Sequence, residues 1–164
     1  MLNSRCLIVL SFFMATSTLA QAQSMLGVRF PKVNVSITLD SIVYKQPNNI
    51  EVNVAIINLQ KFKQKLLFSG KAWGLCGIVT DKQGKSVTEL QCHAVLESQI
   101  YTETMLKKMH AYRYLKPDSS MTHHYHLSNI LVLNFHNNQL PPGDYTLSVS
   151  YFGNESNKVS FSIN

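Results

Sequence analysis

The stretch Leu140–Tyr151, LPPGDYTLSVSY, decides the fold class. Pro141 and Pro142 stiffen a turn, and Gly143 can adopt backbone angles that other residues avoid. Beyond it, Tyr145, Leu147, Val149 and Tyr151 alternate with Thr146, Ser148 and Ser150. A period of two puts the first set on one face, the pattern of a strand with one side buried. A loop at Phe152–Asn157 and a last strand at Lys158–Ile163 follow, with Val159, Phe161 and Ile163 repeating the alternation. Burying each inward side chain contributes roughly 1.5–3 kcal/mol before conformational entropy is subtracted.

The same alternation recurs upstream. Val33–Asp40 carries Val33, Val35, Ile37 and Leu39 in phase, and Ile50–Asn58 carries Ile50, Val52, Val54 and Ile56. The turn residues Gln46-Pro47-Asn48-Asn49 lie between them. Leu66–Phe68 is a short strand. Trp73–Thr80 is apolar on both faces, which predicts a central strand. Asp81–Lys85 reads as a hairpin connection with Gly84 near its tip, and Ser86–Val95 as the returning strand. Further strands are expected at Ala111–Leu115 and Met121–Leu127, and Ser128–Phe135 is an apolar segment that begins with a turn. Leu96–His110 differs. Leu96, Ile100 and the Met105/Leu106/Met109 group have helical spacing, and Glu103 precedes Lys107 by four. A short helix or irregular crossover is expected near 97–109. About eight short strands, frequent turns and no helix able to cover a parallel sheet predict an all-β antiparallel sandwich.

Leu140-Pro141-Pro142-Gly143-Asp144-Tyr145 resembles the L-x-P-G-x-Y corner of immunoglobulin-like and fibronectin-like β-sandwiches. More loosely, Val43-Tyr44-Lys45 before Ile50-Glu51-Val52, the Ile78–Lys85 run and the terminal hairpin resemble bacterial exported immunoglobulin-like domains, including proteinase-inhibitor-like and macroglobulin-like groups. The resemblance implies that Tyr145 latches its hydroxyl onto the backbone where the penultimate strand begins. Leu147 stands where antibody domains carry their second Cys, so their inter-sheet bond is absent. Gln46–Asn49 departs from the Pro-Gly often found in these groups. The motifs mark a fold and transfer no functional residues.

Residues 1–22 read as a secretory signal peptide: Arg5, the apolar run Cys6–Met14, then Ala20-Gln21-Ala22 as a cleavage site. The run is shorter than the roughly 20 residues that span a bilayer. Residues 23–164 are therefore expected as a single domain, secreted or periplasmic, with no later membrane span. In an oxidising compartment the pair Cys76 and Cys92 suggests a disulfide, and closing that loop would contribute roughly 3 kcal/mol. Pairing across Asp81–Lys85 offsets the two by about two positions, so the bond needs a bulge or another register. The formal net charge is +6, with the basic residues scattered. A nucleic-acid surface shows a denser basic stripe, so no nucleic-acid partner is expected. Lys61, Lys63 and Lys65 alternate as on a guarded strand edge, and an acidic cell envelope would attract the chain mildly.

Histidine is the enriched reactive type, in Thr122-His123-His124-Tyr125-His126. In a strand His124 and His126 share a face, as two metal ligands would, with His110, His136 or Asp118 as third candidates. The plainer reading is a polar outer face with Tyr125 and Leu127 inward, so no cofactor is expected. G-x-S-x-G and glycine-rich phosphate loops are missing, and the chain is read as non-enzymatic. Trp73 reads as a buried strand residue rather than a carbohydrate platform. Asn34-Val35-Ser36 and Asn154-Glu155-Ser156 match the glycosylation sequon, the second in a loop expected to be accessible. The expected function is an exported binding or protein-interaction module whose partner is another protein or envelope component. Its surface is expected at Phe152–Asn157 with Asp81–Lys85. The alternatives are a protease inhibitor acting through an exposed loop, and a metal-binding envelope protein using His124 and His126.

Overall fold

Alternating apolar residues form strands through most of the computed structural model, which describes residues 31–45, 49–67, 72–88, 101–133 and 139–164. The strands are β1 (Asn34–Leu39), β2 (Val43–Tyr44), β3 (Glu51–Ile57), β4 (Gln64–Leu67), β5 (Leu75–Asp81), β6 (Tyr112–Leu115), β7 (Ser120–His126), β8 (Gly143–Tyr151), β9 (Asn154–Glu155) and β10 (Val159–Ile163). A short helix, α1 (Glu103–Lys108), lies between β5 and β6. The protein is all-β in class. The expected signal segment, residues 1–22, lies outside the described residues.

One sheet has the order β1-β3-β7, antiparallel throughout. A second has the order β2-β10-β8-β5, with β9 folding back on β8; only its β2–β10 pair is parallel. Strands β4 and β6 form a two-stranded ribbon. Because β3 leads into β4 and β6 into β7, that ribbon prolongs the β3–β7 pair beyond a bend. Tyr145, Leu147, Val149 and Tyr151 of β8 are all buried, and they share one cluster with Val35, Ile37, Val52, Val54, Ile56 and Tyr125. The two larger sheets thus meet through their apolar faces, which is where an alternating strand gains its stability.

Of four expectations, three need correction and one is met. First, β5 is not apolar on both sides of a central position. Trp73 and Gly74 lie in the turn before it, Leu75, Gly77 and Val79 face inward, and Ile78 is 45% exposed. Among the described residues β5 ends the sheet order, and its outer edge is met by irregular chain. Gly77 N–H donates to the Ile130 carbonyl (2.8 Å) and Val87 N–H to that of Val79 (2.9 Å).

Second, the returning strand leaves β5 early. The hairpin closes as expected: Asp81 N–H donates to the Lys85 carbonyl, and the Asp81 carboxylate accepts from the Gln83 and Lys85 N–H groups. Thr80 then faces Ser86. Continued at this register, Gly77 N–H would meet the carbonyl of residue 89. Ile130 takes it instead, and Thr88 bridges to Leu133. The rest of the expected return, residues 89–95, lies outside the described residues.

Third, the short helix expected near 97–109 is present as α1, six residues long, and begins at a Thr102 cap whose hydroxyl accepts from the Met105 N–H (3.3 Å). Fewer than two turns present one inward position, Leu106, packed with Leu67, Trp73 and Ala111. Met105 and Met109, which share helical spacing with Leu106, are exposed.

Fourth, Phe152–Asn157 is not an open loop. Phe152 and Gly153 both have positive φ, as the two central residues of a tight hairpin turn do, and β9 pairs with β8. The ladder then slips by one residue, because Tyr151 faces Asn154 whereas Leu147 faces Val159. The bulge turns Asn157 out of the ladder and onto β1. Its Oδ1 accepts from the Ile37 N–H (2.8 Å), and its Nδ2 donates to the Ile37 carbonyl (3.0 Å).

Candidate interaction surface

An antiparallel strand points its backbone groups alternately toward its two neighbours. Leu127 N–H donates to the Ile50 carbonyl, which fixes the alternation on β7. Tyr125, His123 and Met121 therefore bond to Val52, Val54 and Ile56, while the N–H and C=O groups of Thr122, His124 and His126 point away from β3. All three of these residues are exposed, and among the described residues no strand lies beyond β7. The other edges of the two larger sheets are handled differently. β1 has Asn157 on Ile37, β2 is two residues long, and β5 meets Ile130 and Val87.

His124 and His126 share the outer face of β7, as their spacing requires, and both are exposed. His123 points the other way, half-buried, with its ring 4.6 Å from that of Tyr125. The pairing sets Glu51 opposite His126 and Asn53 opposite His124. One carboxylate is thus in phase with the pair, which spacing within a single strand does not reveal. Of the third-ligand candidates, His110 lies before β6 and Asp118 between β6 and β7, and His136 lies outside the described residues. Among the described residues, no three His, Cys, Asp or Glu side chains converge on a cation position.

The Tyr145 hydroxyl donates to the Pro141 carbonyl (2.8 Å), and burial, then the charge of Asp81, pushes its ionisation upward. Cys76 is half-buried on β5, and Cys92 lies outside the described residues. The sequon residue Asn154, expected to be accessible, is half-buried, and its amide donates to the carbonyls of Pro31 and Tyr151. Trp73 is buried, as its strand reading predicted, but with the small cluster beneath α1 rather than in the main core.

A second exposed region, which the sequence reading missed, lies at the β4–β6 end. Residues 58–67 and 101–118 carry Lys61, Lys63, Lys65, Lys107, Lys108, Arg113 and Lys116 against only Glu103 and Asp118. Lys65 and Lys107 each lie 3.2 Å from Glu103, and this pairing holds the Glu103 carboxyl below its ordinary range, Lys65 contributing most. Lys65 also stands over the Tyr112 ring at 3.8 Å, and Lys63 over that of Tyr114 at 4.6 Å. Of the three alternating lysines only Lys65 lies in a strand, on β4 of the two-stranded β4–β6 ribbon, and Lys61 and Lys63 precede it in the loop.

At the bend, Asn58 is fully buried with its amide saturated. Its Nδ2 donates to the carbonyls of Phe62, Leu115 and Lys116, and its Oδ1 accepts from the Gln60 N–H. The bonds to Phe62 and Gln60 are local, whereas those to Leu115 and Lys116 span 57 and 58 residues and leave no local signal.

No protein-family model matches the chain, and no curated protein matches it. Among solved structures it is similar to Pseudomonas fluorescens alkylpurine DNA glycosylase AlkC bound to DNA containing an abasic site analog. The identity is 12% and the TM-score 0.47, over 91% of this chain and 36% of that one. It is also similar to a mutant (D270A) β-glucosidase from Listeria innocua in complex with laminaribiose, at 12% identity and a TM-score of 0.41, over 81% of this chain and 16% of that one. The chain thus spans well under half the length of either structure.

Proposed function

We propose that the protein is an exported, non-enzymatic interaction module of immunoglobulin-like type, which takes an extended segment of a partner protein as an added strand on β7. The observation that carries this reading is the open edge: Thr122, His124 and His126 are exposed, with their outward backbone groups unpaired among the described residues. Such an edge is a template for strand addition, with main-chain bonds giving affinity and alternate side chains giving selectivity. No Lys or Pro interrupts β7, although those residues commonly guard an edge. The order β1-β3-β7 facing β2-β10-β8-β5 supports the immunoglobulin-like part, since it follows the A-B-E and G-F-C arrangement of such sandwiches. The Tyr145–Pro141 bond supports it as well.

Export rests on residues 1–22, and a Cys76–Cys92 bond belongs to the same proposal. The Phe152–Asn157 segment, where the interaction surface was expected, is tied down by Asn154 and Asn157, which favours the β7 edge instead. Peptide display panned on the protein, then counter-panned on a His124→Pro variant, tests strand addition. Pro at this position removes an outward N–H and leaves the β3 ladder intact. Extended peptides that bind the parent and lose binding to the variant are expected. Equal recovery on both would end the reading.

A further inference from the structure

We propose a second, separate site: the Asn58–Lys63 loop docks the protein on an anionic bilayer surface, with Leu59 and Phe62 entering the lipid interface. Leu59 is 63% exposed and Phe62 62% exposed, the two most exposed large apolar residues of the β4–β6 end. They are held in water by construction. The Asn58 side chain bonds to both Gln60 and Phe62, and its backbone bonds to Ser119 and Asp118, so the loop cannot fold these side chains inward without breaking a buried network. Lys61 and Lys63 flank Phe62 and are exposed. The exposed Tyr114 ring, stacked under Lys63, adds an amphipathic group at the same level. A rigid apolar pair with lysines beside it suits a phase that is anionic at its surface and apolar beneath.

Charge selects the occupant. The seven cations and two carboxylates of this end attract an anionic sheet. A nucleic acid would use the cations but would leave Leu59 without an apolar environment.

The test is co-sedimentation of the full chain with vesicles of phosphatidylcholine alone and of phosphatidylcholine mixed with phosphatidylglycerol. Binding to the mixed vesicles is expected to be roughly tenfold stronger, and to weaken in salt as screening shortens. Leu59→Ser/Phe62→Ser and Lys61→Glu/Lys63→Glu should each lower it by roughly tenfold or more. Both pairs are exposed, so melting temperatures should hold, which separates lost docking from lost folding. Phe62→Trp should shift its emission to the blue only with anionic vesicles. No binding, equal binding to neutral vesicles, or insensitivity to the Leu59/Phe62 pair would overturn the proposal. So would variant-sensitive binding to single-stranded DNA without vesicle binding.

Discussion

Strands β1 and β7 flank the same central strand, and their outer backbones meet different fates. At β1 the bulge after β9 delivers the Asn157 amide to Ile37, whose N–H and C=O are both engaged. At β7 the equivalent outward groups of Thr122, His124 and His126 have no strand beside them among the described residues. A primary amide carries one acceptor and two donors, so it can imitate the backbone of a missing strand at one position. Among the described residues, the edge that lies near the facing sheet is sealed by that sheet, and the far edge is left open. Under the proposed function, the difference locates where a partner strand would be added.

Exchanging prolines along β7 should give the largest effect. His123→Pro removes an N–H bonded to Val54, and a cost of about 3 kcal/mol or more is expected in denaturant unfolding. His124→Pro, one residue on, removes an outward N–H and should cost under about 1 kcal/mol. Similar losses for the two would mean that the alternation on β7 is misassigned. Next comes the sealed edge. Asn157→Ala strips Ile37 of both partners, and a loss of about 1–3 kcal/mol is expected. The variant should also self-associate with concentration in sedimentation velocity, because a second edge is then open. A stable monomer would show that Asn157 does not guard β1.

The facing sheet supplies a control that should leave both edges unaltered. Tyr145→Phe removes the bond to Pro141, and a drop of about 1 kcal/mol in unfolding free energy is expected. Pro141 is exposed, so water can take over the vacated carbonyl. An unchanged melting temperature would remove the corner assignment. The smallest effect belongs to Glu103, far from either edge. Its folded carboxyl is held below the ordinary 4.5 by Lys65 and Lys107, so its contribution is present above that pH and lost as pH falls through the lowered value. Because the carboxyl is exposed, the melting-temperature gap between the parent and Glu103→Gln should be small near neutrality and should close in acid. A gap that widens in acid would contradict the sign.

Much of the all-β architecture was legible. β8 spans Gly143–Tyr151 with the expected four residues inward, and β1, β3 and β7 fall within a residue or so of their expected bounds. Alternation reports burial directly, because neighbouring side chains point to opposite faces. β5 was misjudged for a related reason. Ile78 is apolar yet exposed, and a strand's place in its sheet depends on hydrogen bonds that composition does not encode. The Phe152–Asn157 segment was misjudged because a register slip and two amide side chains, Asn154 and Asn157, tie it to chain more than a hundred residues away.

Composition and periodicity by themselves determined the strand class, the inward set of β8 and the hairpin at Asp81–Lys85, since each depends on residues adjacent in the chain. Tertiary structure alone decided which edge stays open, which amides seal the other, and how Lys63, Phe62 and Tyr114 come to share one surface. These are pairings between distant residues. Hydrogen bonding and burial fix them only after the sheets have met, so no local pattern carries them.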